Sequence, residues 1–128
     1  MSEENGVSLT AALYGRSDVP NLVTASNYIK RGWVDAEGGG KRGNRYLIRK
    51  RSLWMIKVLH QLSFYFNYKI LRQVSELLYL SESHRALCIL RNGKVMELPD
   101  DSEECIEFHS KFAPAILFFI PSLKEALL

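Results

Sequence analysis

The stretch that most constrains this 128-residue chain runs from residue 21 to residue 51, NLVTASNYIKRGWVDAEGGGKRGNRYLIRKR. It opens on a helix signal. Asn21 has a side-chain oxygen able to take a free N–H of a first helical turn. Leu22, Ala25 and Ile29 then recur at helical spacing as an inward face. Gly32 tolerates the positive φ that stops a helix, and Trp33 and Val34 follow as a large apolar anchor. Segments 33–37 and 45–49 read as two short strands. Between them lies GGGKRGN, seven residues with four glycines and two cations. No Gly-Lys-Ser/Thr follows, which argues against a nucleotide P-loop.

The predicted helix, 22–31, divides its surface. Thr24, Asn27, Tyr28, Lys30 and Arg31 are left outward. Asn reads adenine edges, a Thr methyl touches thymine, and Lys or Arg reaches phosphate or guanine. Lys41, Arg42, Arg45, Arg49, Lys50 and Arg51 are the cations that would release counterions from a nucleic-acid backbone. The plain alternative is a solvated helix face beside a solvated loop. Charge distribution bears on that choice. Residues 1–75 carry twelve Lys/Arg against five Asp/Glu, and residues 76–128 carry five against nine, so the net +3 hides a basic first half and an acidic second. Only the first half is suited to face a polyanion.

Around this stretch the chain reads as follows. Residues 8–14 form a short helix with Ser8 as N-cap and Leu9, Ala12 and Leu13 on one face, and Gly15 can end it. Ser52 is expected to cap a strongly apolar helix, 53–66. Its stripe of Leu53, Ile56, Leu59, Leu62 and Phe66 is joined by Trp54, Met55, Val58, Phe64 and Tyr65 on other faces, so it should be buried on more than one side. A second helix, 69–80, carries Ile70, Val74, Leu77 and Leu78, with Asn67 between the two read as a C-terminal stop of the first.

This order of parts resembles the DNA-binding domain of the MerR (mercury-resistance regulator) family, a winged helix-turn-helix closed by two helices. Tyr28, Lys30, Gly32, Trp33 and Val34 stand where that family's recognition helix ends in Tyr, charged residues, Gly and an apolar pair. Gly43 and Arg45 match its Gly-Tyr-Arg-x-Tyr wing, with Asn44 and Leu47 replacing the two tyrosines. The resemblance covers residues 8–80. It implies an α+β chain with a winged helix-turn-helix domain at 7–80, helix 22–31 in the major groove of double-stranded DNA and a basic wing, 37–46, on the phosphates. Thr24, Asn27, Tyr28 and Lys30 would face bases or phosphates, and Arg45 would clamp the backbone. Members that remodel promoters dimerise through a long antiparallel coiled coil. No heptad run of that length follows residue 80 here, so a homodimer must be built differently.

Residues 81–128 are expected to form a small α/β appendage led by a β-hairpin. RALCIL and KVMEL flank Asn92-Gly93, the preferred type I′ turn. That two-residue turn pairs Leu90 with Val95, Ile89 with Met96, Cys88 with Glu97 and Leu87 with Leu98. An isolated hairpin is marginal, and residues 115–120 are the best third strand. A turn at 99–102 and a helix from Asp101 through Phe112 complete the reading.

His84, Cys88, Cys105 and His109 are a zinc-capable set by residue type. Cys105 and His109, four apart, could share an ion on a helix. His84 and Cys88 on a strand would lie roughly 13 Å apart at about 3.3 Å per residue. Buried, reduced cysteines are the plainer reading, and no metal or other cofactor is expected. No spacing singles out a nucleophile, base and orienting group, so an enzyme is not expected. The longest apolar run, 113–120, contains Pro114 and is far short of the ~20 residues of a spanning helix. The N-terminal MSEENG is acidic and polar, unlike a signal peptide.

These readings converge on a cytoplasmic, sequence-specific transcription regulator, with residues 81–128 serving dimerisation or a protein partner. Three other readings remain open. One is a protein-interaction module in which the wing is only a loop and the acidic appendage or the aromatic helix binds a protein. Another is a phage or excisionase-type architectural DNA-binding factor built on the same domain. The third is a ligand or metal sensor, which would need a pocket between the hairpin and helix 53–66.

Overall fold

The structure, a computed structural model, describes residues 6–38, 46–80, 85–90, 92–98, 116–120 and 123. The elements are β1 (Val7–Ser8), α1 (Leu9–Leu13), α2 (Leu22–Lys30), β2 (Leu47–Ile48), α3 (Lys50–Ser63), α4 (Tyr68–Leu78), β3 (Arg85–Ile89), β4 (Val95–Leu98) and β5 (Ile116–Ile120). The chain is α+β, with antiparallel sheets β1-β2 and β4-β3-β5. It divides into two compact units between Tyr65 and Phe66.

In the first unit, local chemistry sets the helix ends. Ser8 Oγ accepts the Ala11 N–H at 3.2 Å, and Asn21 Oδ1 accepts the Thr24 N–H at 2.9 Å. At the far end of α2, Gly32 takes φ +79°. Its N–H donates to the Ile29 carbonyl, and the Trp33 N–H donates to the Tyr28 carbonyl, each at 3.0 Å. That pair of bonds is a Schellman closure, which uses carbonyls that the helix end would otherwise leave open.

The two strands expected at 33–37 and 45–49 are largely replaced. Glu37 and Leu47 form an antiparallel bridge, exchanging N–H···O bonds of 2.9 and 2.8 Å. The other edge of β2 is taken by β1, which pairs Val7 with Ile48 and Ser8 with Leu47. Trp33 and Val34 are both buried. Consecutive strand residues point to opposite faces, so two adjacent buried anchors do not suit an edge strand with one solvated face.

The apolar helix begins earlier than expected, at Lys50. Arg49 is its N-cap and makes no side-chain cap bond. Ser52 is inside the helix and buried, with its hydroxyl donating to the Asp35 carbonyl at 2.6 Å. Ser52 through Ile56 are buried in succession, followed by Val58 and Leu59. At 3.6 residues per turn, five consecutive positions cover the whole helix circumference, so α3 is enclosed on all sides in this segment. It stops at Ser63, and Phe64 and Tyr65 are exposed rather than core.

Lys57 Nζ of α3 meets Asp18 Oδ2 at 2.9 Å. Burial pushes the Asp18 carboxyl up, but the hydrogen bond and charge of Lys57, together with a backbone hydrogen bond and the charge of Arg16, outweigh it and hold the group below its ordinary 3.8. A carboxyl depressed by folding adds stability in full above its unfolded pKa and loses it as pH falls through the folded value.

In the second unit Asn67 is an N-cap, its Oδ1 accepting the Ile70 N–H at 3.2 Å, and α4 buries Leu71, Val74, Ser75 and Leu78. The helix was expected to close the first domain, with a boundary at 80. It clusters instead with the sheet. The Gln73 side chain shows why: Nε2 donates to the Gly93 carbonyl and Oε1 accepts the Val95 N–H, both at 2.9 Å. The third strand is where expected, with β5 paired antiparallel to β3.

The hairpin register is shifted by one residue. Ile89 faces Val95, Cys88 faces Met96, Leu87 faces Glu97 and Ala86 faces Leu98. The Leu90 N–H bonds to the Lys94 carbonyl at 2.8 Å, the Gly93 N–H to the Leu90 carbonyl at 2.9 Å, and Gly93 has φ +87°. This is a three-residue loop closed by a left-handed glycine, the next most common hairpin solution after the two-residue turn. Cys88 on the central strand is a fully buried free thiol, and burial pushes its pKa up. The helix expected at 101–112 lies outside the described residues.

Gln73→Ala should cost about 1–3 kcal/mol in denaturant unfolding, because it strands a part-buried N–H and a carbonyl. It should also speed hydrogen exchange at Val95. Asp18→Asn should flatten the loss of stability below pH ~4 and should lower stability near neutrality by the same modest amount, because a depressed carboxyl contributes in full there. Denaturant midpoints across a pH series measure both effects.

Candidate nucleic-acid interface

The outward face of α2 is set by what its inward face must cover. Ala25 and Tyr28 are buried, and Ser26 and Ile29 are half-buried. Val23, Asn27, Lys30 and Arg31 are exposed. Positions 23, 27, 30 and 31 differ by four, seven and eight, so they form one stripe along the helix. Asn27, Lys30 and Arg31 therefore come together as expected. Thr24 is half-buried at the margin. Val23, 70% exposed, supplies an apolar group on the same stripe as Asn27. The sequence reading missed it because placing Leu22 inward turns the helix out of phase, and Leu22 is 45% exposed.

Tyr28 corrects the expected set. It is only 4% exposed, so it belongs to the core and not to a DNA-facing surface. The Schellman closure explains this, because it brings the residue after the stop glycine back over the last turn. The Trp33 and Tyr28 rings accordingly lie 5.6 Å apart. The phenol is pushed above its ordinary 10.0 by burial, although a hydrogen bond with Ser63 and the charge of Arg31 pull the other way. The glycine stop itself was the available signal, since it calls for an apolar contact between these two positions.

Arg31 lies with its guanidinium carbon 5.0 Å from the Trp33 ring centre. This cation–π contact orients the side chain while leaving its N–H donors in the plane of the group. Arg49 is held differently. Its Nη2 lies 2.6 Å from Glu37 Oε1 at the foot of the Gly-rich loop. Both partners are more than half exposed, so the pair adds little stability. It gives Arg49 a carboxylate partner that a phosphate would have to displace. Lys41, Arg42 and Arg45, with most of the expected wing, lie outside the described residues, as do Cys105 and His109. Of the segment expected to form a wing, the described residues show the Glu37–Leu47 bridge.

Relocating the boundary to 65/66 preserves the charge asymmetry. Residues 1–65 carry ten Lys/Arg against five Asp/Glu, and residues 66–128 carry seven against nine. Among the described residues no group of three or more His, Cys, Asp or Glu is placed to hold a metal ion. No helix among them is long and apolar enough to cross a membrane. Compared with protein-family models, curated proteins and solved structures, the chain matches none.

Two substitutions separate packing from surface at Tyr28. Tyr28→Ala should destabilise the first unit by about 3–5 kcal/mol, as removal of a buried aromatic does. Tyr28→Phe should cost only about 0.5–1.5 kcal/mol, one hydrogen bond, and should leave any DNA affinity unchanged. A loss of DNA affinity in a stably folded Tyr28→Phe would return Tyr28 to the interface.

Proposed function

We propose that this protein is a cytoplasmic, sequence-specific DNA-binding transcription regulator, with no enzymatic activity, of MerR-like winged helix-turn-helix type. The observation that carries the reading is the stripe on α2: Val23, Asn27, Lys30 and Arg31 exposed together on a helix closed at both ends by its own residues. A helix so closed presents a fixed face to the major groove. Asn27 is the base-reading residue, Val23 the group for a thymine methyl, and Lys30 and Arg31 the phosphate or guanine contacts.

The Gly-rich loop, with Lys41, Arg42 and Arg45, acts as the wing on flanking phosphates, and the Glu37–Leu47 bridge joins its two ends. The protein acts as a homodimer, the second unit supplying the contact between copies. A protein-interaction module is the second reading. Phe64 and Tyr65, 71% and 80% exposed at the end of α3, favour it, since aromatic groups are enriched in protein interfaces.

Anisotropy of a labelled duplex across a salt series tests the proposal. Binding should weaken steeply with salt. Arg45→Ala should lower affinity for all duplexes alike and flatten the salt slope, because phosphate contacts carry no sequence information. On a selected site, Asn27→Ala should cost about 1–3 kcal/mol more than on random DNA. Equal losses on both would remove Asn27 from base reading. No binding at low salt would leave the protein-interaction reading in possession.

A further inference from the structure

The second unit holds a cation-lined concavity that the reading above does not use. The first two turns of α4 and the turn of the β3–β4 hairpin enclose an open cleft of about 490 Å³. Its walls carry Asn67, Lys69, Arg72, Gln73, Asn92 and Lys94, and among the described residues no acid lines it. This occurs in the half of the chain where acids outnumber bases, nine to seven. Three like charges from two separate elements line one concavity, so an anion seated there would meet all three.

The walls are held in place. Gln73 bonds the hairpin through both ends of its amide, to the Gly93 carbonyl and from the Val95 N–H, so the helix and the turn are fixed to each other. The acceptors are already engaged. Asn67 Oδ1 takes the Ile70 N–H and Asn92 Oδ1 takes the Lys94 N–H at 3.0 Å, so each carboxamide retains its NH₂ donors. The site does not rest on the helix dipole, because Asn67 already caps that end. It rests on three cations and two amide donors around one space. Such a wall selects an acceptor-rich anion, and phosphate is the one with several oxygens to share. Tyr68, 60% exposed, lines the same cleft and offers an aromatic face.

We infer that this cleft binds a phosphate-bearing small molecule of nucleotide class, its phosphate on Lys69, Arg72 and Lys94 and its planar ring against Tyr68. The volume falls within the usual range of small-ligand sites. A nucleotide bound there would bridge α4 and the hairpin, and so act on the unit assigned above to contact between copies.

Calorimetric titration of the full chain at low salt with adenosine 5′-monophosphate, pyrophosphate and adenosine tests this. The expected result is saturable binding of the two phosphate compounds at one site per chain, and none of adenosine. Removing cations as Lys69→Gln with Lys94→Gln should weaken binding about ten-fold or more for each, as loss of a charge-assisted hydrogen bond does. Arg16→Gln, an exposed cation of the first unit, should change nothing. Tyr68→Ala should weaken the nucleotide but not pyrophosphate. Absence of saturable binding, or binding that Arg16→Gln weakens as much as the double variant does, overturns the inference. If neither phosphate compound binds while the double variant loses duplex affinity, the cleft holds nucleic-acid backbone instead, and the small-molecule assignment falls.

Discussion

The first unit depends on enclosing one turn and a half of α3. Ser52, Leu53, Trp54, Met55 and Ile56 are buried one after another, so this helix has no solvent face in that segment. Three polar ties run from it to the chain that precedes it. Ser52 bonds the Asp35 carbonyl, Lys57 pairs with Asp18, and Ser63 bonds Tyr28. These reach the segment after α2, the turn before α2, and α2 itself. The central helix thus fixes the pitch at which α2 lies, and with it the residues that α2 can turn outward. The candidate DNA-reading face is a by-product of that packing.

Within α2 the ends are settled locally and the phase is not. Asn21 and Gly32 close the helix with partners inside the same short stretch. The phase comes from Tyr28 and Trp33, both buried, whose contact follows from the closure geometry. Arg31 then sits against Trp33, so one indole contacts both a core ring and a surface cation. The stripe of Val23, Asn27 and Lys30 is what remains.

The second unit is organised around a different device. Gln73, on the amphipathic α4, supplies the hydrogen bonds that a neighbouring strand end would otherwise lack. This anchors the hairpin turn, and the turn in turn sets the register of β3 with β4. The glycine there closes a three-residue loop, and the one-residue shift places Leu87, rather than Cys88, opposite Glu97. In a sheet with period two, that shift decides which side chains face each other.

Sequence alone determined what short-range chemistry controls: the caps at Ser8 and Asn21, the stop at Gly32, the hairpin around Asn92-Gly93, and β5 as a third strand. It also showed the enclosed apolar helix, because Trp54, Met55 and Ile56 leave no polar face. Tertiary structure decided what depends on partners distant in the chain. Ser52 is read as a cap by its type, but it is a buried donor because Asp35 is there to accept. Tyr28 is amphipathic enough for either side, and Trp33 with Ser63 made it core. β2 took β1 as its neighbour, and a strand edge has no preference until something pairs with it. The division of the chain at 65 instead of 80 has the same cause. An amphipathic helix such as α4 announces that it must bury one face, but only the contacts of Gln73 show which neighbours it joins.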